Sequence, residues 1–556
     1  MRKIIIVLSS CIVLLLLGYT SYRGYQVWKQ SHGLAMARAY YAKGDARSTL
    51  LSLQQVLHTN PRNIEACRMV ADLTEAARSP RALFWRQRVL ELNPKSFDDR
   101  LSLAQAAIVF QDYPLATNTL AGTSDADKGT AAYNDIAGTV ALVGGRLDDA
   151  EAFFTEAIRL DPSNSVSQVN LAVVRLHRTN TLDMADARIA LQRVILNSKN
   201  FTLRSQARRE LIKDAVRFND TPTALALSQE LAEQTNAVFT DKLLRLDVLK
   251  KVNSAEFKPA LASYQHEAST SPEKLFDLSN WQMHNLSMAT ALAWLQNLPI
   301  QTRTNQTAEV LAAQCQLQLG EWRELQASIQ HENWSELEFT RHAFLARSLR
   351  EQGLNEASTA EWGVALQTAG QQKTSLISLF QLAAAWKWNS EAEQLLWTLV
   401  NQYPEEKWAS AVLAEALTAW HRTTSMVQLF SILHKREPDN AAIKNNLAMT
   451  ALLTGAHELN PNALAQEAYE ASPSNPSYAS TYAFSLYLEG KNAAALKIMQ
   501  QFPPKELDDV SIAGYYGLIL KANGDNAAAK GYLNRAFSGP LLPEEQALFN
   551  HAKAGL

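Results

Sequence analysis

The sequence predicts an all-α chain: a superhelical solenoid of antiparallel helix pairs, preceded by one transmembrane helix. Three observations predict it. Small and apolar residues recur at fixed steps along most of the chain, glycines fall at a fixed place between them, and residues 4–22 form one apolar run behind Arg2 and Lys3.

The clearest repeat is YNDIAGTVALVGGRLDDAEAFFTEAIRLDPSN, from Tyr133 to Asn164. Gly138 is followed twelve residues later by Ala150, then by Phe154, Ala157 and Pro162 at steps of four, three and five. Gly138 and Ala150 suit the closest approach of two antiparallel helices, where a larger side chain would push the backbones apart. Phe154 and Ala157 fall on the same face one turn on. Gly144 and Gly145 are expected to stop the first helix by a left-handed cap, and Pro162 the second because it has no amide to donate. Asn164 can cap the helix that follows.

The same spacing fits Ala37, Thr49, Leu53, Val56 and Pro61, and again Ala414, Met426, Phe430, Leu433 and Pro438. Its first three steps recur at Ala346, Ala483 and Gly517. Gly44, Gly145, Gly353, Gly455, Gly490 and Gly524 each lie seven residues after the small residue of their own first helix, and Pro-x-Asn exits begin at Pro61, Pro162, Pro438 and Pro473. The period is about 34 residues. The pattern resembles the tetratricopeptide repeat family, over residues 31–540 and about fifteen repeats, degenerate around 200–340.

The resemblance implies a concave surface, lined by the first helix of each repeat, that takes an extended protein segment. In relatives similar to the glycosyltransferase superhelices, an Asn on the first helix binds the peptide backbone. Asn170 and Asn446, each preceding Leu-Ala, occupy that place here, whereas Ile136 and Thr481 hold it in other repeats. An amide matches a peptide unit's donor and acceptor without demanding a particular side chain.

Residues 1–30 are a different physical object. An apolar run of roughly 19 residues at 1.5 Å each approaches the ~30 Å of a hydrocarbon core, longer than the ~7 to 15 of a cleaved signal. Tyr19, Tyr22, Tyr25 and Trp28 interleave with Arg23 and Lys29, an interfacial composition. The expectation is a single-pass signal anchor in the cytoplasmic membrane with the solenoid on the periplasmic side. A lipoprotein site at Cys11 is less favoured, because cleavage there leaves only Ile4 to Leu8 as apolar lead-in.

Further along, Gly122 to Gly129 reads as a polar loop, and Arg178 to Asp186, RTNTLDMAD, as an inserted turn. Between Arg175 and Arg217 there are ten Lys or Arg against four Asp or Glu. Arg175, Arg178, Arg188, Arg193, Arg204, Arg208, Arg209, Lys213 and Arg217 are therefore a candidate patch for an anionic partner, against the plainer reading of solvated outer faces. Ten of twelve Trp lie between Trp281 and Trp420. Core packing accounts for most. Trp334 and Trp388, flanked by polar residues, are the candidates for exposure and for stacking on sugars. Residues 541–556 read as a capping helix, with Pro543, Glu544 and Glu545 at its start. No catalytic domain is expected after it.

Composition limits the chemistry. Hydrophobic residues make up 47% and charged residues 19%, ample for a core, and a net charge of -2 gives no pull toward nucleic acid. The eleven His form no H-E-x-x-H, Cys67 and Cys315 suit buried apolar positions, and no P-loop, G-x-G-x-x-G or G-x-S-x-G occurs. No catalytic residue, cofactor or metal site is expected. The reading is a membrane-anchored scaffold for protein partners at the cell envelope; the alternative is a glycan-binding component of exopolysaccharide biosynthesis, export or assembly.

Overall fold

The computed structural model describes residues 24–178 and 180–556. The expected span at 4–22 and Cys11 lie outside the described residues. Among those described there is no strand, and no helix is long and apolar enough to cross a membrane. The chain divides into two packed units, Met1–Trp281 and Gln282–Leu556.

The first unit begins with a helix at 24–42, α1. It pairs with α2 (Ala46–Thr59), and the alternation continues through α3 (Ile64–Ala76), α4 (Arg81–Leu92), α5 (Phe97–Val109) and α6 (Tyr113–Ala121). A one-turn helix, α7 (Asp125–Lys128), then leads into α8 (Ala131–Val143) and α9 (Leu147–Leu160). The polar loop expected at Gly122 to Gly129 therefore contains a helical turn, because the Ser124 side chain caps it at the Asp127 amide. Beyond it come α10 (Ser165–Leu176), α11 (Thr181–Asn197), α12 (Phe201–Arg217), α13 (Thr221–Ala232), α14 (Phe239–Lys251) and α15 (Phe257–Ala268), and the division after Trp281 falls within α16 (Pro272–Asn285). The turn expected through Asp186 is shorter than the sequence suggested. Asn180 accepts from the Leu182 amide and starts α11 at Thr181, so Leu182 to Asp186 are helical.

In the second unit the order is α17 (Met288–Gln296), α18 (Ile300–Arg303), α19 (Gln306–Leu319), α20 (Trp322–Ile329), α21 (Glu338–Glu351), α22 (Asn355–Ala369), α23 (Lys373–Ala385) and α24 (Asn389–Gln402). It continues with α25 (Lys407–Ala419), α26 (Thr423–Arg436), α27 (Ala441–Thr454), α28 (Pro461–Ala471), α29 (Pro476–Leu488) and α30 (Asn492–Met499). The last four are α31 (Pro504–Leu507), α32 (Val510–Ala522), α33 (Asn526–Ala536) and α34 (Pro543–Lys553).

The steric logic of the repeat is visible at α8 and α9. Ala150, Phe154 and Ala157 are fully buried, and the Phe154 ring lies where a Cβ on Gly138 would be, 2.7 Å from Cε1. Gly145 takes the left-handed conformation at φ 73°, but Gly144 keeps φ -74°, so one glycine of the pair makes the turn. The other five in-register glycines also have positive φ, 73–89°. The four Asn of the Pro-x-Asn exits, Asn63, Asn164, Asn440 and Asn475, all cap the next helix through their side chains. Ala414 and Leu433 fit the spacing less well, being only half-buried while Leu413 and Leu429 fill the core beside them.

Helix α34 is held on one side of the second unit. Glu545 accepts from the Leu542 amide at 2.8 Å, and the Tyr515 hydroxyl donates to Glu545. Phe549, 1% exposed, packs on Gly514, where its ring fills the place of a Cβ.

Candidate functional site

In the first unit, first helices together with the Asn164 cap of α10 line an open groove of ≈ 650 Å³. Helix α5 contributes Leu101, Ser102 and Gln105, α8 contributes Asp135, Ile136 and Thr139, and α10 and α12 contribute Asn170 and Gln206. Antiparallel stacking explains this. Each second helix packs behind its partner, so the first helices of successive repeats become neighbours on one face.

Asn170 is the sixth residue past its cap, Asn164, and stands half-buried in this groove. Its side chain makes no hydrogen bond to another described residue, leaving both donor and acceptor for a ligand. Ile136 holds the same register in α8 and lines the same groove. Asn446, sixth past Asn440, is exposed and lines a groove of ≈ 350 Å³ in the second unit, formed with α25 and α26. It accepts from Asn445 Nδ2 at 3.2 Å, which leaves its own amide hydrogens unused. Thr481, at the same register in α29, is buried and donates to the Ser477 carbonyl. The two asparagines thus line separate grooves.

Charge distinguishes the grooves. Around Asn446 the charged groups already answer one another: Lys407 pairs with Glu437 at 3.1 Å, Lys373 with Glu406 at 2.7 Å, and Arg436 donates to the Val400 carbonyl at 2.7 Å. Around Asn170 the charged lining residues are Asp98 and Asp135, without a cation among the described residues. Ser167 Oγ donates to Asp135 at 2.6 Å, and burial pushes the Asp135 carboxyl above its ordinary value.

The basic segment is largely compensated. Arg175 and Arg178 pair with Glu151 at 3.0 and 2.7 Å, Arg178 also with Asp148, Arg188 with Asp214 at 2.6 Å and Arg209 with Asp241 at 2.6 Å. Arg208 reaches Glu230 at 3.5 Å and Lys213 reaches Glu210 at 2.8 Å. Arg204 and Arg217 lie over the rings of Phe201 and Phe218, and Arg193 has no ion pair among the described residues. Counting charge inside the segment missed the acids at 148, 151, 230 and 241, which stacking brings to it.

The expectation that Trp334 and Trp388 are exposed is wrong. Trp334 is 0% exposed and Trp388 6%. Each occupies the residue just before a helix, so its polar neighbours form the turn while the indole folds inward. Trp334 packs edge-on to Phe344 at 6.0 Å. Trp388 packs against Trp362 and Trp386 at 5.4 and 5.1 Å, beneath the Arg350 guanidinium 3.5 Å from its ring centre. Neither presents a face to a sugar, and each of the ten Trp from Trp281 to Trp420 is buried or half-buried.

Other chemistry is sparse. Among the described residues no group of His, Cys, Asp and Glu could hold a metal ion. Cys67 and Cys315 are buried, and burial pushes the Cys315 thiol up to about 11, leaving a poor nucleophile.

Helix pairs with small residues at the crossing, a left-handed turn between helices and an Asn cap at each Pro exit define a helical-repeat protein, whose pattern resembles the tetratricopeptide repeat. No family model matches the chain, and no curated protein does. Among solved structures it is similar to the APC/C hetero-tetramer Cut9–Hcn1, at 12% identity and a TM-score of 0.30, over 82% of this chain and 96% of that one. It is also similar to PilF of Pseudomonas aeruginosa, at 14% identity and a TM-score of 0.32, over 41% of this chain and 99% of that one. A third is PilW, a type IV pilus biogenesis factor, at 15% identity and a TM-score of 0.26, over 43% and 92%. At these TM-scores the likeness carries no functional argument, and the class rests on the chain's own repeats.

Proposed function

We propose that this chain is a protein-binding scaffold that holds an extended segment of a partner along the first-helix groove of its N-terminal unit. One observation carries the reading. Four successive first helices line a single groove, and the Asn170 amide stands in it with no partner of its own among the described residues. Such an amide can bond a peptide backbone, while Leu101, Ile136 and the exposed Val166 offer apolar ground for side chains.

In the same proposal the scaffold is tethered to the cytoplasmic membrane through residues 4–22, with the repeats on the periplasmic side. The support is Arg2 and Lys3 ahead of the apolar run, together with Tyr25 and Trp28 on α1, which are 55% and 58% exposed and stacked on each other. A chain beginning at Ser31 is then expected in the soluble fraction; continued partition into membranes would refute a single anchor.

The groove is tested by photo-crosslinking from position 136 in intact membranes, with mass spectrometry of the adduct. A partner peptide crosslinked there is expected. Replacing Asn170 by Ala should weaken its capture by about 1 to 3 kcal/mol at unchanged helicity, at roughly 0.5 to 1.5 for each of the two bonds its amide can make, whereas Asn446→Ala, in the other groove, should leave it unchanged. Undiminished affinity in the folded Asn170→Ala variant would remove the asparagine reading.

A further inference from the structure

First helices in this unit are tied to one another by a recurring rung. Arg38 on α1 holds Glu65, the second residue of α3, through two bonds of 2.6 and 2.7 Å. Arg68, fifth in α3, holds Asp99, third in α5, through two more of 2.7 and 2.6 Å. Arg209 on α12 holds Asp241, third in α14, in the same way at 2.6 and 3.0 Å. In each case the cation sits on the earlier helix and the acid in the first turn of the next, where the helix dipole also favours it.

Between α8 and α10 the rung is reversed. Asp135 is the fifth residue of α8, the register of Arg68, and Ser167 is the third of α10, the register of Asp99. A carboxylate thus stands where a guanidinium stands two repeats earlier, and its rung partner is a neutral hydroxyl. The group is half-buried, lines the groove beside Asn170, and faces no cation among the groove's described residues. A carboxylate held this way is short of compensating charge.

We propose that Asp135 receives a lysine or arginine side chain of the extended partner segment. The bound segment supplies the cation that the repeat omits, completing the rung across the groove rather than between helices. Asp98, exposed at the end of the same groove, adds a second negative charge that favours a basic segment over an acidic one. The inference rests on the groove being a peptide site, and it adds what that site selects.

A library of random ten-residue peptides, displayed on phage and selected against the full-length chain in detergent, tests it. Enriched peptides are expected to carry more Lys and Arg than the starting library. Binding of an enriched peptide should fall about tenfold or more for Asp135→Asn, the scale of one charge-assisted bond. A similar fall is expected when the peptide's basic residue is replaced by norleucine on the unaltered protein, a measurement that does not depend on the variant's folding. Peptides that require Asn170 yet show no basic excess, or that ignore Asp135→Asn, would overturn this inference and leave the groove standing. Failure to enrich any peptide sensitive to Asn170→Ala would overturn the groove and this inference together.

Discussion

Phe154 sits with its ring in the space that a side chain on Gly138 would occupy, so the α8–α9 crossing is made by an aromatic filling a glycine's vacancy. The expectation from spacing placed Gly138 against Ala150; both are buried at the crossing, but Phe154 makes the tight contact. A Cβ 2.7 Å from Cε1 has to displace the ring. Gly138→Ala should therefore lower stability by about 1 to 3 kcal/mol through overpacking, less the roughly 1 kcal/mol that Ala gains over Gly inside a helix. Thermal unfolding reads the loss, and Phe154→Leu added to Gly138→Ala should recover part of it.

What was legible in the sequence follows from which constraints admit one residue type. A helix crossing admits only small residues, so Gly138, Ala150 and Ala157 stood out at fixed steps. The left-handed turn between helices is less exclusive. Arg78, Gln111, Asn219, Asn253, Lys387 and His421 all take positive φ, 51–61°, at the turn position that Gly145 holds in its repeat. Asn219 and Asn253 lie in the stretch that reads as degenerate, and a search for Asn as well as Gly at that position would have found their repeats. The rungs and ion pairs were hidden for another reason. Except for Lys213–Glu210, their partners lie 22 to 33 residues apart and meet only once the repeats stack. Trp334 and Trp388 misled because flanking polarity describes the turn's backbone and not the direction of the side chain.

The same turns give a second expectation. Lys387 holds φ 60° with a Cβ in place, a conformation that costs an L-residue roughly 1 to 2 kcal/mol. Lys387→Gly should raise stability by about 0.5 to 1 kcal/mol once glycine's greater unfolded-state entropy is deducted. A denaturant midpoint that moves up at unchanged slope is the expected outcome.

Burial of Trp388 sets a third. Trp388→Ala should lower stability by about 3 to 5 kcal/mol, because Trp362, Trp386 and Arg350 close over the indole and a cavity is left behind. In the intact chain, envelope polysaccharides should leave tryptophan fluorescence unquenched. Saturable quenching that disappears with Trp388 would show that the indole is reached by sugar after all.

A fourth concerns acid. Glu338 accepts from Arg341 Nε at 3.0 Å and from the Trp334 amide at 2.8 Å, fixing the corner before α21. The Arg341 hydrogen bond comes first among the causes that hold its carboxyl below the ordinary value, while burial opposes it. A depressed folded-state pKa contributes stability that is present above the unfolded value near 4.5 and is lost as pH falls through the folded one. Glu338→Gln should cost about 1 to 3 kcal/mol at pH 7, as for hydrogen bonds to a charged group. The gap from the unaltered chain should close as unfolding is followed at falling pH below that value.

Asp135 carries the opposite sign. Burial raises its carboxyl above the ordinary 3.8, the Ser167 bond offsetting part of the shift. A raised acid contributes stability that is fully present below the unfolded pKa and lost as pH rises through the folded one, so at neutral pH the free chain bears an unfavourable charge. Asp135→Asn keeps an acceptor for Ser167 Oγ and removes that charge. The variant should unfold at the same or a higher temperature at pH 7, its advantage shrinking as pH falls through the folded pKa and vanishing below 3.8, where both forms are neutral. Stability gained together with basic-peptide binding lost is the signature of a residue kept for its ligand. Stability lost at pH 7 would instead place Asp135 among the groups that hold α8 to α10.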